Sequence, residues 1–482
     1  MVVLVFSNAV FLFAFLPIVL FGYYLLRGKV RNYWLLAVSL VFYGWNKPDF
    51  LWILIASILL NYASALLMQA VQKKSTKILV LWLGIAGNIL LLFYFKYFNF
   101  AVSILEKLLH RDFSFAQVIL PIGISFFTFQ GLSYVVDVYR GEVAVQKNPF
   151  KLGMYIALFP QLVAGPIVRY QDVAKQIDNR SVTLDDFAAG IRRFIAGLFK
   201  KIIIADTLAV TADAIVAASY SASNLPVNAW IGIVSYSLQL FFDFAGYSDM
   251  AIGLGRMFGF HFLENFNFPY ISKSITEFWR RWHISLSSFF RDYVYIPLGG
   301  NRKHVYLNIA IVFLLTGIWH GASFSFILWG VWHGMFNLIE RRIRRHNPAK
   351  PQKEHSRAAA VLISALQHMY TLLVVMIGWV FFRIPGLKNG LNYVLSLIGL
   401  HNNPSRCYLL PSYYLDRWTL CVLILGVLMA TPLPKKLLQA AGKKLPAPAT
   451  AVIRDLALLA ALLLCVLQVA SNTYSAFIYF QF

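Results

Sequence analysis

Long apolar runs separated by short basic loops recur along the whole chain. A helix of about 20 apolar residues is long enough to cross the hydrocarbon core of a bilayer. The pattern therefore predicts an all-α polytopic membrane protein with about 11–12 spans, of which the run at 33–45 is short. The predicted spans are 6–26, 33–45, 50–71, 77–96, 117–138, 202–220, 228–245, 305–319, 322–339, 359–382, 418–434 and 455–474.

Two segments break this pattern. The run 151–168 contains Pro160 and Pro166, which interrupt helices, so we expect a buried re-entrant segment there and not a span. Residues 181–201 begin with Thr183, a good N-cap, followed by acidic residues in the first turn. Basic residues then alternate with Ile and Phe, which predicts an amphipathic helix lying on the cytoplasmic face of the membrane.

The composition agrees with a membrane protein and limits the kinds of molecule that the chain would bind. The 482 residues are 59% hydrophobic and only 13% charged, and the net charge is +23. The basic residues sit in short loops between apolar runs, so their natural partners are anionic lipid headgroups and not nucleic acid. The three cysteines (Cys407, Cys421 and Cys465) lack paired spacing, so neither a disulfide framework nor a metal site is predicted.

Basic loops also predict the topology. Arg27, Lys29 and Arg31 follow the first span and mark a cytoplasmic loop, which places the N-terminus outside. Counting spans from there puts Lys435 and Lys443 inside. One last span then leaves the C-terminus outside as well, provided that 151–168 does not cross.

One histidine lies inside an apolar segment, GIWHGASFSFILWGVWHG at residues 317–334. Ionisable groups in hydrocarbon are costly and usually functional, so His320 is a candidate general base, and Gly321 would leave room for a ligand. The alternative is a core histidine satisfied by a backbone group. His333 lies thirteen residues on, about 140° away around an unbroken helix, so we expect a structural or pore-lining role for it.

The longest polar stretch, 264–304, is cationic and aromatic and carries His283. One interpretation is an aromatic and basic belt that faces lipid headgroups. The other is a site where cations hold the phosphates of a soluble anionic cofactor that arrives from the cytoplasm. The candidate residues for that site are Trp279, Arg280, Arg281, Arg291 and Asn301.

Acidic residues in apolar surroundings call for partners. Asp243 and Asp249 lie at a predicted membrane boundary, and we expect them to pair with nearby arginines. Asp137 and Arg140 are interpreted in the same way.

The chain ends in SAFIYFQF, with Tyr479 as the fourth residue from the end. An aromatic belt that anchors the last span is one interpretation. The other is an aromatic tail that folds back into a cavity and brings one hydroxyl with it. A phenol has a pKa of about 10, so it would need a base to become a nucleophile.

Five segments resemble the membrane-bound O-acyltransferases, in particular the bacterial branch that modifies alginate, peptidoglycan or lipoteichoic acid. They are PIGISFFTFQGLSYVVDVYRGE (121–142), FPQLVAGPIVRY (159–170), FFDFAGYSDMAIGLGRMFGF (241–260), FNFPYISKSITEFWRRWHISLSSFFRDYVYIPLGGNR (266–302) and GIWHGASFSFILWGVWHG (317–334). The resemblance implies a single membrane domain over 1–482, a ring of tilted helices around a thin centre with funnels from both sides. Its core would be 117–340, and an extra span and carrier tail would occupy 455–482.

The resemblance also implies roles. His320 matches the catalytic histidine of the family and His283 its second histidine, and Tyr479 matches a tail tyrosine proposed to carry the acyl group. Acetyl-CoA would be the donor, with no permanently bound cofactor and no metal. The setting would be a bacterial plasma (inner) membrane, and the acceptor an extracytoplasmic polysaccharide such as an alginate-like polymer or peptidoglycan. A separate SGNH-hydrolase-like acetyltransferase would be the partner.

Three alternatives remain from the sequence. The same family includes proteins that transfer D-alanine to teichoic acid. In those systems the aromatic tail is thought to belong to a separate small protein, whereas here it is part of the same chain, which favours acetyl transfer. A transporter or flippase would use His320 as a proton relay, and the absence of an inverted repeat counts against it. A non-catalytic scaffold for polysaccharide synthesis would not need the histidines.

Overall fold

The computed structural model describes residues 4–45, 47–219, 225–346, 356–401, 409–444 and 446–471. These residues form helices joined by turns and short extended segments, and none of them forms a β-strand. The protein is therefore an all-α polytopic membrane protein, as the hydrophobic pattern predicts.

The first third of the chain forms long helices that follow the apolar runs closely. A π-helical turn, Phe11–Phe15, leads into α1, and a second, Phe93–Tyr97, joins α4 to α5 without a break. The helices are α1 (Leu16–Leu25), α2 (Val30–Gly44), α3 (Phe50–Ala70), α4 (Lys74–Leu92), α5 (Phe98–Leu109) and α6 (Ile124–Arg140).

The middle third combines short helices with α12, a helix of 32 residues of which most are buried. A π-helical turn, Lys200–Ala205, joins α10 to α11. The helices are α7 (Pro149–Ala157), α8 (Phe159–Leu162), α9 (Tyr170–Asp178), α10 (Leu184–Phe199), α11 (Asp206–Ser219), α12 (Pro226–Met257), α13 (Ile275–Arg281) and α14 (Ile284–Phe290).

The last third returns to longer apolar helices. Another π-helical turn, Arg291–Tyr295, follows α14 and precedes them. The helices are α15 (Val305–His320), α16 (Phe324–His346), α17 (Arg357–Arg383), α18 (Leu387–Leu397), α19 (Pro411–Tyr414), α20 (Arg417–Met429), α21 (Leu433–Gly442) and α22 (Ala447–Ala470).

Each predicted span coincides with a helix. By length and apolar composition, five helical stretches of the described residues qualify as membrane spans, or six if α20 and α21, bent by 75°, count as one. The remaining predicted spans are helices that are shorter or less apolar, such as Phe11–Leu25 and α15. The five stretches are Phe50–Ala70, Lys74–Leu109, Leu184–Ser219, Arg357–Arg383 and Ala447–Ala470.

The predicted break at 151–168 is confirmed. Residues 149–162 form two short helices, α7 and α8, which are largely buried and together too short for an uninterrupted span. The Asn148 side chain accepts hydrogen bonds from two amides of the first turn and so fixes where α7 begins.

Several predicted boundaries are wrong for local reasons. The helix expected from 117 begins at Ile124, because Pro121 and then Gly123, with φ of 76°, lie in the turn before it. The helix expected to end at 245 continues to Met257, because its acidic residues are paired inside the fold. The span expected over 418–434 stops at Met429 ahead of Pro432 and Pro434.

The segment 181–201 forms the predicted helix, and Thr183 caps it by accepting from the Asp186 amide. Its position on the cytoplasmic face of the membrane stays a prediction. The segment runs through the π-helical turn into α11. Glycines let it touch α12 backbone to backbone: a Cβ added at Gly197 would lie 2.6 Å from the Gly246 carbonyl oxygen, and one at Gly190 would lie 2.7 Å from that of Gly253. The apolar face therefore packs on a helix and not on lipid alone.

The acidic residues of α12 are paired as expected, with lysines as well as an arginine. Asp249 contacts Arg193 at 2.8 Å and Lys200 at 2.5 Å. Lys201, only 3% exposed, lies 2.8 Å from Asp243 and 2.6 Å from Asp206. This buried triad joins α11 and α12 at the level of the π-helical turn.

Replacing Lys201 should destabilise the protein strongly. The Lys201→Met variant leaves two carboxylates without their cation, and breaking a buried ion pair from one side costs about 3–5 kcal/mol. The exposed pair Arg192–Asp455 is the matched control, since Arg192→Met should cost about 0–1 kcal/mol. The measurement is the unfolding midpoint of each purified variant in detergent, and equal midpoints would contradict a structural role for the triad.

Candidate functional site

His320 is the last residue of α15, and the next residue, Gly321, leaves the helical conformation. Gly321 has extended backbone, with φ of −174°, and α16 begins three residues later. A Cβ on Gly321 would lie 2.2 Å from the Phe326 ring. The expectation that Gly321 leaves room for a ligand is thus wrong on this side, since Phe326 fills the space.

The two helices that flank this break are in backbone contact. A Cβ on Gly317 would lie 2.5 Å from the Phe326 carbonyl oxygen, and one on Gly330 would lie 2.5 Å from that of Phe313. Small residues allow such an approach between helices within a membrane. The consequence is that Trp329 of α16 lies against His320 of α15.

Aromatic rings enclose His320, which is 2% exposed. The ring centroids of Trp319 and Trp329 both lie 4.8 Å from that of His320, and the centroid of Phe382 lies 5.1 Å away. An imidazole in such a box is shielded from bulk water. This surrounding suits proton transfer within a water-poor site, where electrostatic effects are large.

His283 lies in the turn between α13 and α14 and is fully buried. Its φ of 45° is left-handed, which is uncommon for a residue with a side chain. The ring lies 4.7 Å from that of Phe244 and 6.0 Å from that of Trp319. The side chain of Trp319 thus contacts both candidate histidines, and the structure brings the two into one site.

Asn265 determines which nitrogen of His283 carries the hydrogen. The Asn265 Oδ1 accepts from the Ser285 amide at 3.2 Å and from its hydroxyl at 2.9 Å. A backbone amide can only donate, so this atom is the amide oxygen. It also lies 3.2 Å from His283 Nδ1, which must therefore be the protonated nitrogen of the neutral ring.

The other nitrogen of His283 is consequently an acceptor. Among the residues that the structure describes, His283 Nε2 is buried and has no hydrogen-bond partner. Buried polar atoms in native proteins are nearly always paired, so such an atom points to water or a ligand. In chemical terms the arrangement is a neutral imidazole with an oriented, basic nitrogen.

His333 also contacts Trp329, the ring that lies against His320. It is fully buried, with its ring 5.3 Å from Trp329 and 5.2 Å from Trp279. The break after His320 removes the unbroken helix on which the 140° offset was based, but the two histidines still have different surroundings. A structural or pore-lining role for His333 remains a prediction.

The proposed cofactor residues fall into two groups. Trp279 is buried against Trp329 and His333, so it belongs to the aromatic site. The three arginines of this set are more accessible: Arg280 is exposed, Arg281 pairs with Glu277, and Arg291 pairs with Asp292. Asn301 accepts from Tyr295 and Arg341.

Asp292 is the acidic partner that the sequence interpretation left out. Burial alone would raise the pKa of its carboxyl, but hydrogen bonds from Arg291 and Arg169 outweigh this effect and hold the pKa below its usual range. Asp292 therefore stays ionised and reduces the positive charge available for phosphates. The two residues Asp137 and Arg140 have different partners. Asp137 accepts from the Tyr293 hydroxyl at 2.8 Å, and Arg140 donates to the Asp292 backbone carbonyl.

Two further residues of this region went unnoticed in the sequence. Asn265 carries no signal by itself, because its role depends on contacts with Ser285 and His283. Lys96 does carry a signal in the sequence, because it is a lone cation in the apolar run LLLFYFKYF. In the structure its Nζ donates to the Trp319 carbonyl.

Tyr479 lies outside the described residues. Within them, no group of three metal-binding side chains occurs.

These features define a polytopic membrane protein with a buried, two-histidine site. Comparison with known proteins gives the family. The model of the membrane-bound O-acyltransferase family, MBOAT, matches residues 42–382. The chain belongs to this family, and it is an acyltransferase.

Relatives resemble the chain over most of its length. A "probable alginate O-acetylase AlgI" from Pseudomonas putida is 44% identical over 393 residues, covering 80% of this chain and 78% of the relative. A "peptidoglycan O-acetyltransferase" from Helicobacter pylori is 35% identical, covering 89% and 86%. A "teichoic acid D-alanyltransferase" from Bacillus subtilis is 34% identical over only 42% of this chain.

Proposed function

We propose that this protein takes an acetyl group from cytoplasmic acetyl-CoA and passes it through Tyr479 to the outer side of a bacterial plasma membrane, for O-acetylation of a polysaccharide. The observation that carries the proposal is the pair of buried histidines whose rings both contact Trp319, in a chain 44% identical to a probable alginate O-acetylase. Buried imidazoles offer the base that an alcohol nucleophile needs.

His320 would act as the base for the Tyr479 hydroxyl. The phenol oxygen forms a bond to the thioester carbonyl carbon, the carbon–sulfur bond breaks, and the phenol proton passes through His320 to the leaving thiolate. The pKa of an imidazole is some three to four units below that of a phenol. Full proton transfer before attack is therefore unfavourable, and assistance within the transition state is the workable route.

His283 would orient the reacting thioester or the proton it exchanges. Its Nδ1 is held by Asn265, and its Nε2 is left as an acceptor facing the interior. The Trp319 ring contacts the rings of both His283 and His320. This placement supports a role for His283 at the reacting centre, next to His320.

The exposed cations of α13 and of the turn after α14 support a binding role for Arg280, Arg281 and Arg291 toward the phosphates of the donor. Guanidinium groups suit phosphate, and Arg280 and Arg281 directly follow Trp279, which itself belongs to the aromatic site. Asn301 would extend the same surface. Because Asp292 offsets part of this charge, Arg280 is the strongest of the candidates.

The acceptor and the partner follow from chemistry and from relatives. Loop charges favour an extracytoplasmic C-terminus, where the acetyl group on Tyr479 could be handed on. The final transfer to an alginate-like polymer or to peptidoglycan would then need a separate enzyme, which we propose to be an SGNH-hydrolase-like acetyltransferase. D-Alanyl transfer is less supported, because its named relative covers under half of this chain.

Gene deletion with chemical analysis of the envelope tests this function. Loss of acetyl esters from the exopolysaccharide or the peptidoglycan, restored by the wild-type gene and not by a His320→Gln variant, is the expected result. Loss of D-alanine esters instead would assign the runner-up activity. Restoration of normal ester content by the His320→Gln variant would favour a scaffold that does not need the histidines and would overturn the proposal.

Replacement of Asn265 tests the orientation of His283. In Asn265→Leu the histidine loses its acceptor, and a buried hydrogen bond lost in this way costs about 1–3 kcal/mol, or roughly 5- to 150-fold in rate. Asn267 offers a control, since Arg281 contacts its backbone carbonyl and not its side chain. The measurement is polymer acetyl content for Asn265→Leu against Asn267→Leu, and equal content would contradict the role of Asn265.

A further inference from the structure

Lys96 is a charged residue in a place where charge is costly. It lies in the apolar helical stretch Lys74–Leu109, within the π-helical turn Phe93–Tyr97. Its neighbours Phe93 and Tyr94 are exposed on the outer surface of the described fold. Ionisable residues within membrane spans, and π-helical turns within helices, both occur frequently at functional sites.

The ammonium group of Lys96 points inward to the end of α15. It donates to the Ser125 hydroxyl at 3.0 Å and to the Trp319 carbonyl at 2.5 Å. The adjacent Tyr97 hydroxyl donates to the Ile318 carbonyl at 2.8 Å. Because the last carbonyls of a helix have no partner within the helix, Lys96 and Tyr97 together cap the turn that ends at His320.

No carboxylate of the described residues pairs with the ammonium group of Lys96. In the described part of the chain its contacts are a hydroxyl, a carbonyl and the face of the Trp319 ring, whose centroid lies 5.6 Å from Nζ. A cation at a helix C-terminus interacts favourably with the helix dipole. A protonated Lys96 places a positive charge in a water-poor site, against the carbonyl of Trp319, the residue before His320.

We propose that Lys96 is a positioning residue for acyl transfer, which holds the His320 end of α15 and places a positive charge beside the reacting thioester. This inference rests on the function proposed above. When the phenol oxygen attacks, the carbonyl electrons move to oxygen, and when the carbon–sulfur bond breaks, the negative charge moves to sulfur. A fixed cation nearby favours both anionic species over the neutral ground state.

A capping role without charge makes a different prediction, so the variants separate the two. Lys96→Gln retains a hydrogen-bond donor and loses the charge, Lys96→Met loses both, and Lys96→Arg retains both. Lys107→Met removes an exposed lysine from α5 of the same helical stretch and is the matched control. The assay follows release of free CoA thiol from acetyl-CoA by the purified full-length protein in lipid vesicles.

Because no acceptor is present, each molecule releases one thiol, and the measured quantity is the rate constant of that single round. We expect Lys96→Met and Lys96→Gln to lower this rate constant by about tenfold to a hundredfold, with little change in the acetyl-CoA concentration that gives half of the maximal rate. Lys96→Arg should recover much of the rate, and Lys107→Met should equal wild type. A Lys96→Gln variant as active as wild type would overturn the proposal, because hydrogen bonding alone would then suffice. An unchanged Lys96→Met variant would do the same. If wild-type protein releases no more thiol than His320→Ala, the proposed function itself fails, and this inference fails with it.

Discussion

The His320→Ala variant should lose polymer O-acetylation by roughly 10²- to 10⁴-fold, the contribution typical of a positioned general base. The loss should be in the chemical step, because the imidazole is 2% exposed and enclosed by Trp319, Trp329 and Phe382, away from the accessible cations proposed to hold the donor. Donor binding should therefore change little. The measurement is acetyl ester content in a deletion strain that carries each variant.

Two controls make this result specific. His320→Gln keeps a polar side chain of similar size, so a similar loss would show that the base and not the packing is missing. His261→Ala removes an exposed histidine whose side chain lies 3.8 Å from Asp186, and it should remain active. Comparable amounts of each variant in the membrane fraction are required, and a His320→Gln variant with wild-type acetylation would refute the role.

Tyr479→Phe should abolish transfer to the polymer, because it removes a single oxygen on which the proposed acyl carrier depends. Without that hydroxyl no ester can form at this position, and a phenylalanine retains the aromatic character needed to anchor a tail. The expected acetyl content of the polymer equals that of the deletion strain. Tyr474→Phe is the matched control from the same tail and should retain full acetylation.

The opposite outcome is informative as well. If Tyr479→Phe acetylates normally and Tyr474→Phe does not, the carrier is the other tyrosine and the tail is still part of the pathway. If both variants acetylate normally, the tail is a membrane anchor, which was the alternative interpretation of its aromatic residues. The acyl group would then leave the His320 site by another route.

The sequence predicts where the helices lie better than it predicts where they end or which other helices they pack against. Apolar runs mark every predicted span, because the cost of unpaired backbone in hydrocarbon forces a helix wherever a run is long enough. The ends depend on finer effects. The positive φ of Gly123 delays the start of α6, and the pairing of Asp243 with Lys201 allows α12 to continue past residue 245.

The amphipathic pattern of 181–201 shows where such reasoning stops. Alternating basic and apolar residues fit a helix on a membrane surface equally well as a helix packed on a protein. The contacts of Gly190 and Gly197 with Gly253 and Gly246 show that this helix packs on α12. That information lies in a pair of distant segments and not in either one alone.

The candidate site also contains features that one segment of the sequence reveals and features that depend on contacts between distant segments. An intramembrane histidine is visible in the sequence, because a single ionisable residue in an apolar run is unusual. Its relation to His283 is not visible, because it requires Trp319 to lie against both rings. Asn265 and Lys96 act through a carboxamide oxygen and a backbone carbonyl, contacts that no spacing along the chain predicts.

The central claim is that His320 promotes transfer of an acetyl group from acetyl-CoA to Tyr479, and mass spectrometry of the C-terminal peptide tests it most directly. Protein purified after incubation with isotopically labelled acetyl-CoA is digested, and the peptide that contains Tyr479 is compared between wild type and His320→Gln. The account predicts a labelled acetyl ester on Tyr479 in wild type and none in the variant. Labelled ester at equal levels in both, or an unmodified Tyr479 in an active wild-type preparation, would contradict it.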